Sequence, residues 1–113
     1  MGAAVTRKLI QKEMREVLRD LRTLEPTIVP VRVRRLKLDD CWGYCTLYRD
    51  SETGKPLYFL IAIDNRIPAP LVAETLVHEW AHAVAWQEGK AVDDHGPEWG
   101  VTYARIYSQV IDS

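Results

Sequence analysis

Residues 78–82 read His78-Glu79-Trp80-Ala81-His82, two imidazoles four positions apart with a carboxylate beside the first. On a helix, residues four apart share one face and stand about 6 Å apart along the axis. Both rings can then reach one ion, and zinc takes imidazole nitrogen at about 2.0–2.1 Å. Glu79 is turned about 100° further round the axis. Its carboxylate can therefore border the ion without binding it and take a proton from a water held there. The pattern reads as His78 and His82 holding a metal, with Glu79 as general base. A pentapeptide of this kind also arises by chance. The setting favours chemistry, because Leu71, Val72, Leu76, Val77, Ala81, Val84 and Ala85 make the surrounding stretch apolar over much of a helix. A polar side chain inside such a helix is costly unless it has a partner.

A catalytic zinc needs three protein ligands and one open position. His95 is the one remaining histidine, and Gly89 lies between it and His82, so the chain can turn back to the metal. His95 is favoured as the third ligand. Glu98 on the following helix, or Asp93 or Asp94, stay open as alternatives. The longer metzincin pattern is not met, since Ala85 and Glu88 stand where it requires glycine and histidine.

Two stretches carry a family likeness: residues 74–83, Glu74-Thr75-Leu76-Val77-His78-Glu79-Trp80-Ala81-His82-Ala83, and Asp94-His95-Gly96-Pro97-Glu98-Trp99. Together they resemble the SprT-like zincin family, in which an H-E-x-x-H helix is followed by an H-G-P-x-aromatic motif. Trp42-Gly43-Tyr44-Cys45 and the apolar run from Tyr58 to Ile63 match the family's upstream strands, so the likeness spans roughly residues 5–110. The resemblance implies a minimal zincin fold, a Zn2+ cofactor on His78, His82 and His95, and peptide hydrolysis with Glu79 as base. For a subset of the family it also implies action on DNA-associated proteins. Trp80 departs from the family's usual Leu or Met and is expected to alter the pocket.

These residues need elements to hold them. Ile10, Met14, Val17, Leu18, Leu21 and Leu24 recur at helical spacing, which predicts a helix from about Thr6 to Leu24 that Pro26 stops. Val29, Val31 and Val33 alternate with polar residues, predicting a strand over residues 28–38. Its apolar parity changes at Leu36 and Leu38, which suggests a bulge near Arg35. Trp42–Arg49 and Leu57–Ile63 read as strands joined in a hairpin by the turn around Gly54. The third strand is the expected sheet edge for an extended substrate. A helix from Pro70 to Glu88 ends at Gly89, and another runs from about Pro97 to Ile111. The order is α-β-β-β-α-α. This is the α+β class, with a small three-stranded sheet packed on helices and one domain over residues 1–113.

Hydrophobic residues make up 47% and charged residues 27% of the 113 residues, the balance of a globular chain. No apolar run is long enough for a membrane span, and no signal peptide is apparent. With two cysteines, Cys41 and Cys45, the cytoplasm is the expected location and both are read as buried thiols. Residues 1–38 carry ten Lys/Arg against four Asp/Glu, and residues 39–113 five against twelve. Lys8, Lys12, Arg15, Arg19 and Arg22 form a basic stripe on the first helix. Such a stripe is usually a solvated face; its sharper reading is a nucleic acid contact. The expected partner at the metal is a protein or peptide substrate. Against the zinc-dependent metallopeptidase stands one alternative, a non-catalytic module that zinc stabilises and that binds DNA or protein.

Overall fold

The computed structural model describes residues 13–112. Among them lie helix α1 (Met14–Leu24), strands β1 (Val31–Leu36), β2 (Gly43–Arg49) and β3 (Pro56–Asp64), and helices α2 (Ala69–Ala85) and α3 (Pro97–Val110). The fold is α+β in the expected order. Thr6, Lys8, Ile10 and Lys12 lie outside the described residues.

The sheet order is β1-β3-β2. β3 runs parallel to β1 and antiparallel to β2. A strand flanked on both sides reads as a nearly continuous apolar run, which is why Phe59, Ile61, Ala62 and Ile63 are all fully buried. This corrects the expectation that the third strand is the sheet edge. β1 occupies one side of β3 and the hairpin partner the other, so the edge beside α2 is β2.

No bulge interrupts β1. Its register with β3 is continuous from Val31↔Phe59 to Leu36↔Asp64, and the one irregularity lies in β2 at Tyr48/Arg49. The strand stops at Leu36 because the chain must cross the end of β3 to begin β2. The Asn65 amide donates to the Leu36 carbonyl and the Asp64 amide to the Trp42 carbonyl along that crossing. Leu38 lies beyond the strand, so its parity carries no meaning. Arg66 braces the crossing by bonding both Asp64 and the Leu38 carbonyl.

At the hairpin, Asp50 Oδ1 accepts the amides of Glu52 and Thr53. Gly54 takes the positive φ of 73° that closes the turn, a conformation glycine adopts without strain.

All three helices contribute to one core. Val17 and Leu21 of α1, Leu76, Val77 and Trp80 of α2, and Ile106 and Val110 of α3 are buried with the inner face of β3. α2 ends at Ala85 rather than Glu88. Trp86 turns extended there and packs edge-on against Phe59, ring centroids 6.0 Å apart.

Trp80 does not shape the pocket. It points away from His78 and His82 into the core, is 1% exposed, and donates its indole N–H to the Glu25 carbonyl at 2.9 Å. The buried Glu25 carboxylate also bonds Arg105. The end of α1 is thereby tied to both α2 and α3. Arg105→Met leaves that carboxylate without its cation. We expect a loss of about 1–3 kcal/mol in urea unfolding, less than for a fully buried pair because the Arg105 side chain is 45% exposed.

Of the basic stripe, Arg15, Arg19 and Arg22 are exposed, and Arg22 also donates to the Val31 carbonyl at 3.3 Å. Cys45 is buried, whereas Cys41 is exposed, so only the first fits the reading as a buried thiol. Cys41 precedes β2 in the crossing segment, outside the sheet's inner face. Among the described residues, no helix is long and apolar enough to cross a membrane.

Candidate metal centre and cleft

α2 carries His78, Glu79 and His82, with Pro70 inside its first turn. The segment after it reverses through Gly89, whose φ is +90°, and brings His95 back just before α3 begins at Pro97. The Nε2 atom of His95 stands 3.2 Å from that of His82 and 3.3 Å from that of His78. One ligand atom from each of the three residues lies within 4.8 Å of the others. Two nitrogens bound to one tetrahedral ion at about 2.0–2.1 Å are themselves about 3.3 Å apart. The spacings at His95 are therefore those that a single shared ion requires.

Hydrogen bonding alone accounts poorly for this cluster. A neutral imidazole nitrogen has either one proton or one lone pair, so His95 Nε2 cannot satisfy both neighbours well. Three convergent imidazoles with unmet bonding capacity can hold a metal ion.

The electrostatics agree. Burial, then the neighbouring His95, lowers the pKa of His78. Burial, then His95 and His78, lowers that of His82 to about 4. Both rings are thus neutral at neutral pH, the form in which imidazole ligates. Burial raises the Glu79 carboxyl to about 7, in the range suited to a general base. Its Oε2 atom lies 3.9 Å from His78 Nε2, beside the cluster.

None of the alternative third ligands joins these donors. Glu98 is exposed and pairs with Lys90 at 3.4 Å. Asp93 and Asp94 are exposed as well.

A residue whose role the sequence reading undervalued is Trp99. Its ring lies 5.2 Å from His82 in a stacked arrangement, and edge-on to His78 and His95 at 4.8 and 4.6 Å. Its indole N–H points to the His78 carbonyl at 3.4 Å. One side chain thus braces all three imidazoles. The aromatic position of the His95-Gly96-Pro97 motif was the available signal, but a core indole and a bracing indole look alike in sequence.

Gly43 sets how closely β2 approaches α2. A Cβ at this position would stand 2.7 Å from Thr75 Cγ2, 3.0 Å from the Ala62 carbonyl oxygen and 3.6 Å from Glu79 Cγ. Real Cβ contacts are not that short, so Gly43→Ala must push the strand and helix apart. We expect a loss of about 1–3 kcal/mol in thermal or urea unfolding, the cost of overpacking a filled site. Further along β2, the Cys45 thiol is held protonated by burial and then by the charge of Glu79, so it is an inert neighbour.

Two hollows flank His78 and Glu79 along β2. One, of about 370 Å³, is walled by Trp42, Leu71, Glu74, Thr75 and Tyr103. The other, of about 630 Å³, is walled by residues 44–47 of β2 with Val92, Asp93 and His95. Tyr103 therefore borders the first and Tyr44 the second. Gly43, His78 and Glu79 line both, so the candidate centre lies at the middle of one groove beside the β2 edge.

A family model described as the SprT-like family matches residues 6–112. No solved structure matches the chain.

Proposed function

The chain belongs to the SprT-like family, and from that premise we propose that it is a zinc-dependent metallopeptidase whose metal is held by His78, His82 and His95. The observation that carries this reading is the convergence of three Nε2 atoms, two contacts being 3.2 and 3.3 Å, with a buried carboxylate 3.9 Å from one of them. A bound zinc ion supplies a Lewis acid for the scissile carbonyl and brings the pKa of a water toward about 7. The chain's own residues do the rest. Glu79 accepts the water proton and passes it to the leaving amine, a transfer its raised pKa suits. The groove holds the substrate beside these groups. The edge of β2 offers backbone donors and acceptors to an extended chain, which is how sheet edges take peptides.

The alternative, a non-catalytic zinc-stabilised module, gives no reason for Glu79. A structural site is closed by four ligands and needs no carboxylate desolvated beside it. Burial of that carboxylate at 6% exposure costs stability, and a base is what such a group is good for.

The test is hydrolysis of an unfolded protein by the zinc-loaded chain, with chelator and with metal restored, in the presence and absence of DNA. Activity that disappears with chelation and returns with zinc supports the reading. Zinc binding with no hydrolysis of any protein would favour the non-catalytic module. Stimulation by DNA that weakens steeply with salt would support a nucleic acid contact through the basic face of Lys8, Lys12, Arg15, Arg19 and Arg22.

A further inference from the structure

The hollow on the Tyr103 side of His78 has apolar walls and two carboxylates: Glu79, which it shares with the candidate metal centre, and Glu74, which lines this hollow and not its neighbour. Trp42, Leu71 and Tyr103 supply the walls and Glu74 the charge. Glu74 is exposed and lies one helical turn before His78 on α2, so it shares the face that bears the metal-binding histidine. No Lys or Arg lines this hollow or its neighbour across Glu79. Among the described residues Glu74 forms no ion pair. Its fixed partner is the Tyr107 hydroxyl, which donates to Oε1 at 3.2 Å. That bond holds the carboxylate in place without neutralising it. The negative charge also helps to keep the phenols of Tyr103 and Tyr107 protonated, although burial is the larger cause for both.

An aliphatic stem against aromatic and leucine walls, with a cation at its tip, matches this chemistry. A neutral apolar side chain would fill the walls but leave the Glu74 carboxylate uncompensated, and an acidic one would be repelled. We propose that Glu74 is a specificity-determining residue, and that the hollow takes a cationic group of the substrate next to the scissile bond. This rests on the peptidase reading above. The cation can be the side chain of a lysine or arginine, or the free α-amino group of a peptide N-terminus, and the two sources are separable.

The experiment uses zinc-loaded full chain and peptides identical except at one position, stepped along the residues flanking the cleavage point. Lysine, arginine, norleucine and glutamate are compared there, each with free and acetylated N-termini. We expect kcat/KM for lysine or arginine to exceed that for norleucine by about tenfold at one position. Glu74→Gln keeps an acceptor for Tyr107 and should bring that ratio to near unity. Glu74→Lys should turn the preference toward glutamate. Tyr107→Phe, which keeps the charge, should retain the preference and controls for disturbance of the helix face. Loss of cleavage on acetylation, with no side-chain preference, would assign the cation to the N-terminus instead of a side chain.

Cleavage with no cation preference, or a preference that survives Glu74→Gln, overturns the inference and leaves the peptidase reading intact. If no peptide is cleaved, the peptidase reading is the one that falls. The hollow is then judged by calorimetric titration of the lysine and norleucine peptides onto the zinc-loaded protein, where equal affinities would overturn the inference.

Discussion

Zinc-loaded Glu79→Gln should hydrolyse peptide about 10²–10⁴-fold more slowly than the wild type, the usual worth of a positioned general base, with its metal content unchanged. Glutamine keeps the shape of the side chain and cannot accept a proton at neutral pH. The carboxylate borders the histidine cluster, 3.9 Å from His78 Nε2, and is absent from the set of converging donors. The variant therefore removes a proton acceptor and leaves the ligands in place. Full activity in the variant would show that another group takes the proton.

The same substitution has a second readout that needs no substrate. In the metal-free protein, burial raises the Glu79 carboxyl from its ordinary 4.5 to about 7. The folded chain then binds a proton that the unfolded chain has already released. Stability from this group is complete below about pH 4.5 and is lost as the pH climbs to about 7. Glutamine copies the protonated form at every pH. Urea unfolding in the presence of chelator should find variant and wild type alike at pH 4.5 and the variant more stable at pH 8. Equal stability at both would mean that the carboxylate is not desolvated in solution.

His95→Ala is expected to abolish retention of zinc, from about one ion per chain to a small fraction, in protein purified without added metal. Loss of even a supporting contact around a metal costs about 10–100-fold in affinity, and loss of a ligand costs more. His95 is exposed, so its own packing contributes little, and the metal-free variant should unfold close to the metal-free wild type. Zinc at a hundred times its dissociation constant stabilises a folded protein by about 2.7 kcal/mol. Added zinc should therefore raise the melting temperature of the wild type and not of the variant. A variant that still holds one zinc would point to Glu98 or Asp93 as replacement, against the geometry in which Glu98 is engaged by Lys90.

Much of this was legible in the chain itself, because local rules suffice for it. Helical spacing places His78 and His82 on one face and Glu79 beside it, whatever surrounds the helix. Apolar periodicity marks α1 and α2, and the turn residues around Gly54 mark the hairpin. His95 stood out as the one remaining histidine, the family likeness of the motif around it pointed the same way, and membership of that family is borne out over residues 6–112.

What failed was information that sequence order does not carry. Strand neighbours depend on which edges pair in space. Because the parallel contact with β1 closes its far side, β3 lies in the middle and the open edge passes to β2. Leu36 and Leu38 looked like a shift of strand parity, yet Leu36 is the last residue paired in the sheet and by Leu38 the chain has left it to cross β3. Trp80 looked like a pocket residue by its place within the motif. Its position on the helix turns it instead toward Glu25 and the core, a contact between residues fifty-five apart in sequence.

By itself the sequence determined the residue types, the one-turn spacing of two imidazoles and the carboxylate between them, since helix geometry converts spacing directly into a shared face. Only the tertiary structure decided that His95 Nε2 closes to within 3.3 Å of both, that Trp99 braces all three rings, and that Gly43 lets β2 lie close against Thr75 and Glu79. Those are contacts between separate elements. They are set by how the core packs, and packing depends on volumes and distances that no local spacing encodes.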